Sequence, residues 1–275
     1  MPQFDDTKTI LVNGKSVSYL DSGEGPPLIL LHSWPTCCKI FLQAIPELSQ
    51  HFRVIAPDMP GFGMSEELEG PHTYETISKW LDQFLQELNT DKIYLLGVSY
   101  GAAIALEFTN RYHSKVSLLL LNSPELYYYS QLNWLRKLFY ICVDQFSFLK
   151  RIIFNLLINE SDLVFQIVWG HRLQNDEFVN SIKEYGKHLK FRAADETLHE
   201  FIYTDNRNVL CTIKTPTVVF TGIKEYPAYL ENILNLCKKN SNIHYECVSG
   251  VGHSVVVENP NIFADTVIQQ INLLT

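Results

Sequence analysis

Gly97-Val98-Ser99-Tyr100-Gly101 follows an unbroken apolar run at 93–96 and precedes an alanine-rich stretch that begins at Ala102. An apolar run without polar alternation is the pattern of a strand buried on both faces. A serine held in a sharp strand-to-helix turn, with glycine two residues away on either side, leaves its hydroxyl exposed above the sheet edge. Ser99 is therefore a candidate nucleophile. The helix expected from 102 to about 112 aims its N-terminal N–H groups and dipole at developing negative charge. A serine hydroxyl is a weak nucleophile near neutral pH, so a histidine base must reach the same edge, and a carboxylate must orient that histidine.

The elements that must position such residues alternate along the chain. Residues 9–12 and 16–20 are two β-rich runs separated by Asn13-Gly14, a hairpin signal. Further strands are expected at 28–31, 52–57, 116–121, 217–222 and 242–248, and helices near 39–49, 73–88, 228–238 and 259–274, with Thr73 a cap for the second. This alternation predicts an α/β fold, a mostly parallel central sheet flanked by helices on both faces. From 126 to 206 no buried-strand run occurs. Helical patterns rich in aromatics, among them Tyr129, Trp134, Phe165 and Trp169, take its place. The expected organisation is a core of residues 1–125 and 207–275 with an inserted α-helical cap at 126–206. Most of the cap aromatics are expected to pack, and a few to face substrate.

From the opening hairpin to the last helix, the order of motifs resembles the α/β-hydrolase fold family. The resemblance rests on His32-Ser33-Trp34-Pro35 at a strand end, the turn from Asp58 to Ser65, the turn at Ser99, the loop after Gly222, and Gly252-His253. It implies the serine hydrolase branch with a helical cap and the chain order nucleophile, acid, histidine: Ser99, Glu225, His253. His253 follows a strand in a glycine loop near the C-terminus, which suits the base. His32 is assigned a structural part in the oxyanion loop, and the other seven histidines surface or cap places. Glu225 lies three residues past Gly222, where the family's acid falls, although the family more often has Asp there. Glu125, after the preceding core strand, is the alternative acid. The backbone N–H groups of Tyr100 and Trp34 are the expected oxyanion donors. Ser33 stands where the family usually has glycine, and its hydroxyl is an alternative donor. The turn from Asp58 to Ser65 reads as structural.

The chain has 275 residues, 46% of them hydrophobic and 19% charged, enough to bury a large core. A net charge of −8 without a dense Lys/Arg run argues against a nucleic-acid partner. The apolar stretches at 138–143 and 149–158 fall short of the roughly twenty residues that span a bilayer. Membrane contact is not the expectation, though an apolar cap leaves it open. The polar start, Met1 to Asp6, lacks the basic and apolar regions of a secretory signal, so a cytoplasmic protein is expected. Six cysteines without a C-x-x-C pair are expected as free thiols, and no metal or cofactor is implied. The resemblance thus points to a cofactor-independent carboxylesterase acting through an acyl-enzyme on a small ester with an apolar or aromatic moiety. Thioesterase, amidase, acyltransferase and carbon–carbon bond hydrolase chemistry use the same triad, and a non-catalytic small-molecule receptor keeps the same fold. Epoxide hydrolases and haloalkane dehalogenases resemble the chain at 32–35 but attack with aspartate, where this chain has Ser99.

Overall fold

β1 (Lys8–Val12) and β2 (Lys15–Ser22) form the expected hairpin. Its two turn residues, Asn13 and Gly14, both take positive φ, 50° and 76°, the mirror-image turn that matches strand twist. β3 (Pro27–Leu31), β4 (Arg53–Pro57), β5 (Ile93–Val98), β6 (Val116–Asn122), β7 (Thr217–Gly222) and β8 (Ile243–Val248) complete one eight-stranded sheet in the order β1-β2-β4-β3-β5-β6-β7-β8. β2 runs antiparallel to both β1 and β4, and every other pairing is parallel. The computed structural model describes residues 7–128, 134–144, 146–158 and 184–275.

Helices cover both faces, which is why the central strands lack polar alternation. Leu31, Leu95, Leu119 and Val219 point into one apolar cluster, shared with α2 (Tyr74–Glu87) and α3 (Tyr100–Arg111). Their neighbours Leu30, Leu96, Leu120 and Phe220 point into a second cluster, closed by α1 (Ile45–Leu48) and the last helix. Between β6 and β7 the described residues contain helices and no strand: α4 (Trp134–Asp144), α5 (Ser147–Ile158), α6 (Phe191–Tyr203) and α7 (Arg207–Thr212). The first three of these fall within the α-helical insertion expected of the fold class, and α7 follows it. Tyr129, Phe165 and Trp169 lie outside the described residues. After β7 come α8 (Pro227–Cys237), α9 (Val255–Glu258) and α10 (Pro260–Leu274).

One local reading changes. The helix expected at 39–49 is a 3₁₀ turn, Cys38–Phe41, followed by the one-turn α1 with Pro46 in its first turn. Proline has no N–H to continue a helix through that point, but it is tolerated at a helix start. The loop after β8 winds into α9 immediately after Ser254. All six cysteines are free thiols. Among the described residues no helix is long and apolar enough to cross a membrane.

α2 starts where Thr73 predicts. Thr73 Oγ1 accepts from the Thr76 N–H at 3.2 Å, and Thr76 Oγ1 accepts from the Thr73 N–H at 2.9 Å. The helix then buries Ile77, Trp80, Leu81 and Phe84 against the sheet. Replacing Thr73 with alanine orphans a helix-end donor and should destabilise the fold by about 1 kcal/mol. The check is a lower urea midpoint at unchanged slope.

Candidate active site

Ser99 sits between the end of β5 and the first residue of α3 with φ 53° and ψ −108°. A non-glycine residue in such a region costs about 1–3 kcal/mol, so surrounding contacts must hold it. They are visible. The Ser99 N–H donates to the Asn122 carbonyl at 2.9 Å, and the Ser99 carbonyl accepts from Ala102 N–H at 3.0 Å. A Cβ on Gly97 would strike the Gly101 carbonyl, and one on Gly101 would strike the Leu31 and His32 carbonyls. Glycine at both places is what lets the turn close this tightly onto β3. Tyr100 occupies the first turn of α3, where backbone N–H groups lack intrahelical acceptors.

The loops after β7 and β8 deliver the other two groups to the same sheet edge. Ile223 N–H donates to the Val248 carbonyl at 2.8 Å and Lys224 N–H to the Val251 carbonyl at 2.9 Å, so the two loops are laced together. His253 Nε2 lies 3.2 Å from Ser99 Oγ, and its Nδ1 is hydrogen-bonded to Glu225 Oε2. Ser99 and Glu225 are buried, whereas His253 keeps some exposure. Of the two carboxylates considered as the acid, Glu225 is thus the one joined to the outer ring nitrogen. Glu125 is buried three residues past the end of β6. There its charge adds to that of Glu200 and to burial, the largest effect, in pushing the Tyr74 phenol well above its ordinary value.

One carboxylate not anticipated from the sequence holds the histidine loop. Glu258 accepts from the N–H of Gly252 at 2.8 Å and of Ser254 at 3.2 Å, the residues on either side of His253. Nothing in the chain marks it except its place five residues downstream, because its partners are backbone groups brought close only when α9 turns back.

The loop after β3, the expected oxyanion loop, is set by His32. Its Nε2 accepts from Met59 N–H at 3.0 Å, so the ring proton is on Nδ1, which donates to the Ser33 carbonyl at 3.0 Å. Thr36 adds two more donors to that oxygen, N–H at 2.9 Å and Oγ1 at 2.8 Å. Carbonyl and N–H point opposite ways across a trans peptide. Anchoring the Ser33 oxygen into its own turn therefore directs the Trp34 N–H away from that turn. The Ser33 hydroxyl lies 3.1 Å from Thr36 Oγ1 inside the turn. Asp58 ties this loop to the next by accepting from Cys38 N–H at 2.8 Å and Met64 N–H at 2.9 Å.

Helix α6 of the insertion rests directly on these parts. Trp34 Nε1 donates to Thr197 Oγ1 at 3.1 Å, and the Phe201 ring meets Tyr100 edge-on at 5.9 Å. His72, expected at the surface or in the cap, is instead fully buried. Its Nε2 accepts from Leu68 N–H at 3.1 Å, and Nδ1 donates to Glu196 of α6 at 2.7 Å. The burial of His72 has a tertiary cause, since Glu196 is 124 residues away. His171 lies outside the described residues. Among the described residues no group of three or more His, Cys, Asp or Glu side chains is placed to hold a metal ion.

Burial pushes the His32 imidazole down to about 4 from an ordinary 6.5, against the Asp58 charge and the Ser33 hydrogen bond, which favour the proton. Between those values the unfolded chain takes up the proton and the folded one refuses it. The stability held by neutral His32 is therefore whole above about 6.5 and lost as pH falls through about 4. In urea unfolding, the stability difference between wild type and His32→Gln should narrow by on the order of 3 kcal/mol from pH 7 to pH 4.

A family model described as alpha/beta hydrolase fold matches residues 26–260. The chain is 37% identical over 120 residues to a 2-hydroxy-6-oxo-2,4-heptadienoate hydrolase of Pseudomonas putida, covering 42% of this chain and 43% of that protein. It is 34% identical over 98 residues to a soluble epoxide hydrolase of a Corynebacterium species, covering 36% of this chain and 34% of that protein. These alignments span less than half of either relative. Among solved structures, a thermophilic esterase from Thermogutta terrifontis superposes with a TM-score of 0.77 at 21% identity, over 98% of this chain and 99% of that one. An enol-lactonase from Burkholderia xenovorans LB400 gives 0.75 at 18% identity, over 96% of this chain and 100% of the other. At such identities the likeness is one of fold. Matched by the family model over most of its length, the chain belongs to the α/β-hydrolase fold family.

Proposed function

We propose that the protein is a cofactor-independent serine hydrolase that cleaves a carboxylic ester through an acyl-enzyme. The observation that carries this reading is the hydrogen-bonded line from Glu225 through His253 to Ser99 Oγ. In the first half-reaction His253 Nε2 takes the Ser99 proton as Oγ bonds to the carbonyl carbon. His253 then returns that proton to the departing alkoxide, and the ester C–O bond breaks. In the second, His253 deprotonates a water that attacks the acyl carbon, and the proton goes back to Ser99 as the acid leaves. Glu225 keeps the imidazole in the tautomer that presents a bare Nε2 and stabilises its charged form. The N–H groups of Tyr100 and Trp34 are assigned to the tetrahedral oxyanion.

The substrate is assigned an apolar or aromatic moiety, because the insertion that overlies the site is rich in aromatic side chains, with Tyr128 stacked on Phe201 at 5.3 Å. A second reading, hydrolysis of a carbon–carbon bond beside a ketone on the same three residues, draws on the partial match to the oxo-dienoate hydrolase. Relative rates on an ester panel and on diketone substrates separate the two.

A fluorophosphonate probe should label the folded protein at Ser99 and leave Ser99→Ala unlabelled, and mass spectrometry of the adduct peptide reads the site. Failure to label the folded wild type sinks the serine-hydrolase reading and favours a non-catalytic receptor. On the ester that is turned over, Glu225→Gln should lower kcat by about 10³–10⁴-fold with little change in KM, as loss of a triad carboxylate does. If Glu125→Gln produces that loss instead, the acid is misassigned.

A further inference from the structure

Helices α4 and α5 pack against each other, and α5 packs on α6. Tyr140 of α4 is buried, and Ile153 and Phe154 of α5 lie against the main apolar cluster, so the inner side of this hairpin is accounted for. Its outer side is apolar as well. On α4 Trp134, Leu138 and Ile141 follow one another at helical spacing along one face, with Leu135 beside them, and Trp134 is 71% exposed. On α5 Phe148, Ile152 and Leu156 do the same, and Phe148 is 61% exposed. Phe146, in the link between the helices, is exposed and meets Phe148 edge-on at 6.0 Å. Single exposed apolar side chains are ordinary on a protein surface, but two packed helices each carrying an exposed apolar stripe are not.

Charge identifies what covers this face. Residues 134–158 contain Arg136, Lys137, Lys150 and Arg151 against the single acid Asp144, in a chain whose net charge is −8. Lys150 is paired with Asp195 of α6 at 2.8 Å. Exposed Arg151 flanks the α5 stripe with its guanidinium 5.1 Å over the Phe191 ring. Exposed Trp, Phe and Leu on one face with Lys and Arg at its margin is the composition of a helix lying in a membrane interface. A symmetric pair of copies would bring this basic hairpin against its own like charges. An anionic lipid surface attracts the hairpin and repels the acidic remainder of the chain, which orients the protein.

We propose that the α4–α5 hairpin docks on an anionic lipid bilayer, inserting Trp134, Phe146 and Phe148 at the headgroup level with Lys137 and Arg151 at the rim. The inference does not depend on which bond the enzyme cleaves. The test is co-sedimentation of the full chain with phosphatidylglycerol-containing vesicles and with pure phosphatidylcholine vesicles, read together with tryptophan emission. Binding is expected to the anionic vesicles, with a blue shift that disappears in Trp134→Phe and with weakening as salt is raised. Trp134→Ser combined with Phe148→Ser should lower the partition coefficient at least about tenfold while leaving the circular-dichroism melting curve unchanged. Absence of binding to anionic vesicles overturns the proposal, as does binding that the double variant leaves intact. A concentration-dependent dimer in sedimentation velocity that the same variant dissociates would also overturn it, by assigning the face to a second copy. If Lys137→Glu with Arg151→Glu folds and still binds as tightly, the assignment to an anionic lipid surface fails.

Discussion

The closeness of the β5–α3 turn to the end of β3 is the constraint on which the site depends. Ser99 stays at positive φ because its backbone is bonded on one side to β6 and on the other to the first turn of α3. The chain can pass this way because Gly97 and Gly101 present no Cβ to the carbonyls they abut. The same approach lays the elbow against the Leu31 and His32 carbonyls, at the root of the oxyanion loop. Ser99 and the loop after β3 are therefore positioned by one packing event rather than two. The parallel register of β5, β6, β7 and β8 then brings the acid and histidine loops to the same edge, as open parallel sheets do at the carboxyl ends of their strands.

Around that event the buried polar groups act as fixings. His32 is neutral, and both of its ring nitrogens are committed to backbone partners, Met59 N–H and the Ser33 carbonyl. Asp58 and Glu258 each hold two backbone N–H groups, one pair joining the loop after β3 to the loop after β4, the other flanking His253. A carboxylate accepting two backbone N–H groups makes charge-assisted hydrogen bonds to both, which fixes the loop between them. A hydrogen-bonded line such as Glu225–His253–Ser99 tolerates little slack, which is why residues outside it, such as Asp58 and Glu258, belong to the architecture of the candidate site.

Helix α6 gives the insertion a firm base. It meets the loop after β3 through Thr197 and Trp34, the helix after Ser99 through Phe201 and Tyr100, and the loop before α2 through Glu196 and His72. α4 and α5 stand further from the sheet, reach the core through a few side chains such as Ile153 and Phe154, and turn an apolar face outward. One insertion thus combines a helix bonded to the loops around Ser99 with a hairpin whose outer surface exposes Trp134, Phe146 and Phe148.

The chain alone determined the elements, their order and the elbow, because those rest on local rules. Apolar runs specify buried strands, Asn13-Gly14 specifies a hairpin, Thr73 specifies a helix start, and glycines two residues either side of Ser99 specify the turn. The fold class and the inserted helices followed from the same alternation. Tertiary structure decided which carboxylate meets His253, because Glu125 and Glu225 both follow core strands and only the lacing of the β7 and β8 loops brings Glu225 to Nδ1. It also decided that His72 is buried and that Glu258 holds the histidine loop, contacts whose partners are a distant helix and backbone N–H groups without a sequence signature. It broke the expected helix at 39–49 at residues 42–44, so that the second piece starts at Ile45 with Pro46 in its first turn. Periodicity reports which way a side chain faces, but the partner it finds there depends on how distant segments are packed together.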